Sequence, residues 1–187
     1  MWLTHDQTRY IYETNTNKRT DIYGEHPENF IIEIVEGIRT KTSADFVIGI
    51  RLGGFEPTIE DAIHNAQMLE QGGIDFIDIS YGFSMEQKSF VPADYPFIDI
   101  IYAAEMIKKA VHIPVFAANG ITNPEMAEDI MLKTKVDMVD IGRGFIVNPN
   151  WMKDAMEGKD TGKCLHCKRC QLFENPDKCA GKILFWK

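Results

Sequence analysis

The sequence predicts an α/β fold built from four βα units around a parallel sheet. Short β-branched runs alternate along the chain with longer segments whose apolar residues recur at helical spacing, and this alternation is typical of βαβ units. The strand runs are mostly apolar throughout, as expected when both faces of a sheet are covered. The predicted strands are FVIGIRL at 46–52, FIDIS at 76–80, IPVFAA at 113–118 and VDMVDIG at 136–142.

Helical segments precede and separate these strands. One segment carries apolar residues from Ile59 to Leu69 on a single face, and Gly72 follows it as a stop signal. Asn123 followed by Pro124 predicts an N-cap and a first helical position. The predicted helices are 28–41, 58–72, 96–110 and 123–133.

The chain divides into three parts by composition. Residues 1–27 are polar and show no sustained period, which predicts an irregular N-terminal segment. Residues 28–157 hold the βα units, and residues 158–187 form a Lys- and Cys-rich tail with few apolar positions. We expect one main domain with a small C-terminal appendage.

The composition excludes several classes of protein. The 187 residues include 20 Lys and Arg against 28 Asp and Glu, for a formal net charge of −8. Nucleic-acid backbones and anionic membranes repel such a surface, so neither is expected as a partner. No apolar run approaches the ~20 residues that span a bilayer, and the N-terminus lacks the apolar core of a signal peptide. We therefore expect a soluble, cytoplasmic protein.

Two loops that follow consecutive strands form the strongest local pattern. AANGIT at 117–122 carries Gly120, and DIGRGF at 140–145 carries Gly142 and Arg143. In a parallel barrel the last two βα loops commonly hold a phosphate. Glycines permit close approach of the backbone, and a guanidinium is suited to phosphate. Glycines also end many ordinary strands, but two such loops on consecutive units favour an anion site.

Arg51 lies near the end of an otherwise apolar strand. If its side chain points inward it needs a partner, because an unpaired buried charge is costly. The partner could be an acidic side chain, or Arg51 could face an electron-rich ligand ring, and the residues alone favour the ion pair. The long aromatic loop at 80–90 follows a strand on the same predicted rim, where it would either cover a substrate or lie in solvent.

Several of these segments resemble the old yellow enzyme family of FMN-dependent ene-reductases, a family that includes the 2,4-dienoyl-CoA reductases. The resemblance is carried by TNKRTDIYG at 16–24, VIGIRL at 47–52, IPVFAANGITNPEMAEDI at 113–130 and VDMVDIGRGFIVNPNW at 136–151. It implies a TIM barrel that carries FMN at its rim, takes hydride from NADH or NADPH, and reduces an activated alkene or a related small-molecule acceptor.

The resemblance also implies roles for individual residues. Arg51 would contact the flavin ring near its N1/O2 edge, and the FMN phosphate would be held by the two rim loops. The residues implied for the phosphate are Asn119, Gly120, Gly142 and Arg143.

The chain departs from that family upstream of residue 16. The family's substrate-binding His pair and proton-donating Tyr, in an H-x-x-H/N-G-Y type of motif, have no counterpart, since His5, Tyr10 and Tyr12 do not match its spacing. No catalytic residue is therefore assigned.

The number of βα units predicts an incomplete barrel. A complete eight-unit barrel has ~250 residues typically, so four units predict a half-barrel or a truncated one. Open sheet edges and an exposed apolar face favour association. We expect either a homo-oligomer or pairing with a missing N-terminal half, with Val139 on an inward position.

All four cysteines lie in the tail, spaced C-x2-C-x2-C-x8-C. Four thiolates within reach of one ion suit Zn or an iron–sulfur cluster, and a tail of free thiols is the alternative. The resembled dienoyl-CoA reductases hold a [4Fe–4S] cluster just after the barrel, although with longer second and last gaps. The predicted ligands are Cys164, Cys167, Cys170 and Cys179.

The leading functional prediction is an FMN-binding oxidoreductase or the C-terminal half of one. Two alternatives stay open. The chain could be a non-catalytic phosphate-binding half-barrel, or pseudoenzyme, that pairs with another subunit. It could also be a different phosphate-binding TIM-barrel enzyme, because fold does not fix function.

Overall fold

The computed structural model describes residues 2–3, 17–55, 58–81, 91–172 and 174–186. Within these residues one parallel sheet of five strands runs in chain order. Its strands are β1 Trp2–Leu3, β2 Gly49–Gly53, β3 Phe76–Ser80, β4 Val115–Ala118 and β5 Met138–Asp140. The four predicted strands are present as β2 to β5, and the parallel α/β architecture is confirmed.

Strand β1 was not predicted. It pairs in parallel with β2, with Trp2 opposite Gly49 and Leu3 opposite Ile50. Two residues are too few to produce a recognisable period, so the pairing with β2 defines this strand rather than any local pattern. The sheet therefore extends one strand beyond the four predicted units.

The helices begin and end close to the predicted positions. Thr58 and Asp61 form a reciprocal capping box at the start of α3, and the Asn123 side chain accepts a hydrogen bond from the Met126 amide at 2.8 Å at the start of α5. A 3-10 turn covers Pro176–Lys178. The helices are α1 Ile22–Glu25, α2 Glu28–Arg39, α3 Ile59–Gln71, α4 Asp99–Ala110, α5 Pro124–Lys133, α6 Arg143–Val147, α7 Trp151–Met156 and α8 Ala180–Phe185.

One face of the sheet forms the core with the helices. Alternate strand residues such as Ile50, Leu52, Ile77 and Ile79 are fully buried in a single apolar cluster. Helix residues complete this cluster, including Ala62, Leu69, Ile100 and Ile107. Because this face is buried, every second position of the strands is apolar.

The other face of the sheet carries charge, which corrects the prediction that the strands are apolar on both faces. This inner face presents Arg51, Asp78 and Asp140, together with Phe76 and Phe116, whose rings stack at 4.8 Å between centroids. Neither of those two rings belongs to the core cluster as the described residues define it. The inner face thus carries both charged side chains and aromatic rings.

The prediction that Val139 points inward is wrong. Val139 packs against the core cluster, whereas its neighbours Met138 and Asp140 lie on the inner face because side chains alternate along a strand. Met138 is 54% exposed. The inner face of β5 therefore offers an apolar side chain to solvent.

The tail packs against the domain through its last helix. The Trp186 indole Nε1 donates a hydrogen bond to the Val147 carbonyl at 3.0 Å. Gly162 has a φ of +66°, and a Cβ at this position would lie 2.8 Å from the Phe185 ring, so glycine permits the close approach of α8. No helix among the described residues is long and apolar enough to cross a membrane.

Candidate functional site

All five residues predicted to bind the cofactor line one cavity of about 180 Å³. The cavity lies at the carboxyl ends of β2, β4 and β5, where parallel strands gather their loops. The predicted residues are Arg51, Asn119, Gly120, Gly142 and Arg143, and the other lining residues are Ala118, Ile121 and Asp140. Residues 92 positions apart in the sequence, Arg51 and Arg143, thus border the same space.

The loop after β4 forms one wall of the cavity through an unusual backbone conformation. Asn119 and Gly120 have φ values of 76° and 73°. Asn is one of the few residues with a side chain that adopts this left-handed region readily. At Gly120 a Cβ would also lie 2.6 Å from Ile98 Cδ1, so both the φ and the close approach favour glycine.

The loop after β5 places Arg143 at the start of α6. Gly142 precedes it with no atom near its missing Cβ, whereas a Cβ on Gly144 would lie 2.8 Å from the buried Trp151 indole. Helix α6 therefore packs closely against α7 and keeps Arg143 at the cavity. The exposed Arg143 guanidinium also donates a hydrogen bond to His166 Nδ1 at 3.1 Å.

Arg51 forms an ion pair with a buried carboxylate and also lies at the cavity. Its Nη1 atom lies 3.1 Å from Asp78 Oδ2, and the Asp78 side chain is completely buried while that of Arg51 is 34% exposed. Arg51 and Asp78 are paired directly in the β2–β3 register, so their side chains share one face. Arg51 thus forms the expected ion pair and also borders the cavity.

Two acidic residues of the site were missed by the sequence analysis. Asp78 is buried inside β3, and Asp140 ends β5 and lines the cavity. The pKa of Asp78 is raised from 3.8 to about 7, chiefly by burial and then by the nearby Asp140, while Arg51 opposes the rise. The available signal was a charged residue inside each apolar run, FIDIS and VDMVDIG.

The four cysteines do not form the predicted metal site in this structure. Cys164 and Cys179 are half-buried, Cys167 and Cys170 are exposed, and none is in a disulfide. In the described part of the chain, no three His, Cys, Asp or Glu side chains are arranged to hold a metal ion. The thiols suit Zn or iron–sulfur chemistry, but in this mostly irregular segment they are not gathered around one point.

Other candidate residues lie outside the described part of the chain. These are His5, Tyr10 and Tyr12 of the N-terminal segment and most of the aromatic loop at 80–90. Tyr81, at the start of that loop, donates a hydrogen bond from its hydroxyl to Asp99.

Comparison with known proteins identifies the family of this chain. The profile of the NADH:flavin oxidoreductase / NADH oxidase family matches residues 9–161. The NADH oxidase of Thermoanaerobacter brockii is 34% identical over 163 residues, which cover 81% of this chain and 25% of that protein. The NADPH dehydrogenase of Geobacillus thermodenitrificans is 28% identical over 142 residues, which cover 73% of this chain and 41% of that protein.

Solved structures show the same architecture. A 2-naphthoyl-CoA reductase in complex with 2-naphthoyl-CoA aligns with a TM-score of 0.64 at 30% identity, covering 77% of this chain and 23% of that one. An old yellow enzyme homologue from Zymomonas mobilis aligns with a TM-score of 0.64 over 88% of this chain and 47% of that one, and at 21% identity it shows the fold alone. The chain spans about a quarter of the length of the first curated relative. On these matches, the chain belongs to the NADH:flavin oxidoreductase / NADH oxidase family.

Proposed function

We propose that this chain supplies the phosphate-binding half of an FMN site in a flavin oxidoreductase that takes hydride from NADH or NADPH. The convergence of all five predicted residues on one cavity supports this proposal most directly. Family membership supports the cofactor class. The name of the first curated relative states no acceptor, while that of the solved reductase states 2-naphthoyl-CoA, so the acceptor of this chain is proposed only as a small molecule.

The cavity fits one end of the cofactor rather than all of it. Its volume of about 180 Å³ is smaller than the ~300–1,000 Å³ of whole ligand pockets. Arg143 would donate to phosphate oxygens, and the backbone around Gly120 and Gly142 would approach them closely. Arg51, which lines the same cavity, would present positive charge toward the part of the cofactor that leads to the flavin ring.

FMN supplies the hydride chemistry when it is bound, and the residues of this chain bind and orient it. The left-handed turn at Asn119 and Gly120 fixes one wall, while packing of Gly144 on Trp151 fixes the position of Arg143. Asp78 holds the Arg51 guanidinium by an ion pair at 3.1 Å. These contacts limit the freedom of both cations before any ligand arrives.

Flavin retention after substitution of Arg143 tests this function. In Arg143→Ala we expect the FMN dissociation constant to rise about tenfold or more, because a charge-assisted hydrogen bond contributes roughly 1.5–3 kcal/mol. Arg169→Ala is the matched control, since Arg169 is an exposed arginine paired with Glu174 at 2.9 Å. Absorbance in the flavin bands after desalting measures both. Equal flavin content in wild type and Arg143→Ala would contradict the proposed site.

Association through the inner face is a further part of the proposal. Half-exposed aromatic rings and the exposed Met138 on this face favour a covering partner, either a second copy or a separate half-barrel. If association yields no flavin binding, the alternative of a non-catalytic phosphate-binding half-barrel is favoured.

The free thiols fit the reducing cytoplasm, which we propose as the compartment.

We also propose that the four cysteines bind Zn or a [4Fe–4S] cluster after rearrangement of the tail. The donor chemistry supports this, whereas the observed arrangement of the thiols does not, so no reaction step is assigned to a metal. Anaerobic purification with metal and acid-labile sulfide analysis is the test. Metal-free protein whose thiols all react rapidly with a thiol reagent would leave them as free thiols.

A further inference from the structure

The proposed cofactor site contains two carboxyl groups that FMN binding does not itself require. Asp140 lines the cavity beside Arg143, and Asp78 lies behind the cavity wall with a fully buried side chain. Arg51 connects them to the site, because its guanidinium lies 3.1 Å from Asp78 and also borders the cavity. The inner face therefore holds two carboxyl groups near a cation that lines the cavity.

The hydrogen bonding of Asp78 is incomplete. Among the described residues neither of its carboxyl oxygens has a hydrogen-bond partner of good geometry, although Arg51 is close. A buried ionised carboxylate without donors is costly, and a second carboxylate nearby adds repulsion. Burial and Asp140 both raise the pKa of Asp78 above its ordinary value. A proton on the pair would relieve both costs.

The charges near Asp78, on β3, come from two other strands. The adjacent β2 contributes Arg51, and β5, which lies beyond β4, contributes Asp140, while β4 presents Phe116 opposite Asp78. Around the cavity, Arg51 and Arg143 balance the two carboxylates when both are ionised. One proton on the pair leaves a net positive charge at the cavity.

We propose that Asp78 and Asp140 share one proton beneath Arg51, and that this proton couples anion binding in the cavity to proton uptake. Asp78 is then a positioning residue that sets how much of the Arg51 charge a ligand experiences. The proton comes from solvent and resides on a carboxyl oxygen of the pair, and no other bond changes. The identity of the anion as the FMN phosphate rests on the proposed function, whereas the shared proton does not.

The shared proton is tested on the full chain without ligand. We expect the carboxyl carbon of Asp78, followed by NMR with 13C-labelled aspartate, to titrate near neutral pH in wild type. In Asp140→Asn the midpoint should fall by at least one pH unit, because the repulsion is gone and the amide can donate a hydrogen bond. An Asp78 that titrates below pH 5 in wild type would overturn the proposal.

The coupling is tested by FMN titration calorimetry at pH 8 in two buffers of different ionisation enthalpy. Wild type should take up more protons on binding than Asp78→Asn, with the exposed Asp94→Asn behaving as wild type. The ratio of wild-type to Asp78→Asn dissociation constants should rise about three- to tenfold from pH 6.5 to 8.5, and titration of FMN itself cancels in this ratio.

The outcomes separate the two proposals. FMN binding with equal proton uptake in wild type and Asp78→Asn would overturn the coupling alone. Absence of FMN binding in every variant would overturn the proposed function and the coupling together, while the NMR titration would still decide whether the pair shares a proton.

Discussion

Gly142 and Gly144 flank Arg143, and the same substitution should destabilise the fold at Gly144 but not at Gly142. A Cβ at Gly144 would lie 2.8 Å from Trp151 Nε1 and 2.9 Å from Ile141, and Trp151 is only 2% exposed. The indole cannot move without disturbing the packing of α6, so Gly144→Ala should lower the free energy of unfolding by about 1–3 kcal/mol. Gly142 has a φ of −89° and nothing within 4 Å of a Cβ, so Gly142→Ala should change it by less than about 0.5 kcal/mol.

FMN binding should be affected by substitution of Gly142 even though stability is not. Gly142 lines the cavity, so a methyl group there should weaken FMN retention although the fold is unaffected. Urea unfolding gives the stability, and a loss of 1 kcal/mol corresponds to about 2–4 °C in melting temperature for a chain of this size. A Gly144→Ala variant as stable as wild type would refute the packing argument. A Gly142→Ala variant that loses stability as Gly144→Ala does would refute the contrast between them.

Three further predictions concern stability. Because Asp78 has a raised pKa, the free energy of unfolding should fall by up to about 4 kcal/mol as the pH rises from about 4 to about 7, and then level off. In Asp78→Asn, urea unfolding should show a flatter dependence on pH. Trp186→Phe loses the hydrogen bond to Val147 and should cost about 0.5–1.5 kcal/mol by the same assay. Gly73→Ala forces alanine to a positive φ and should cost roughly 1–2 kcal/mol. Gly120→Ala does the same and should cost more, because its Cβ would lie 2.6 Å from Ile98, and only this variant should reduce FMN retention.

The elements with a sustained period could be predicted from the sequence. Strands β2 to β5 were found because one face of each is fully apolar, and the N-cap at Asn123 because its side chain and Pro124 are local signals. The rim loops were found because parallel strands gather their carboxyl ends, which brings Gly120 and Gly142 to one cavity whatever their separation along the chain.

The features that depend on distant contacts could not be predicted in this way. To predict that Asp78 and Asp140 lie near each other, one must know which face of its strand each residue occupies. Apolar neighbours hide the alternation of the two faces in both runs. The hydrogen bond from Arg143 to His166 joins residues 23 positions apart through an irregular segment. Such a contact depends on how the tail packs, for which the sequence carries no periodic signal.

Association through the inner face can be tested at Met138, the exposed apolar residue that β5 presents on this face. Met138 is 54% exposed on this face, and Leu132, on α5, is 81% exposed away from the inner face. If the inner face is an interface, Met138→Glu would bury a charge without a partner and should weaken self-association at least tenfold in sedimentation equilibrium. Leu132→Glu adds the same charge to a solvated helix and should leave association unchanged. Self-association through this face would be contradicted if the two variants dissociated equally. It would also be contradicted if the wild-type chain stayed monomeric at micromolar concentration, and a separate half-barrel would then remain as the proposed partner.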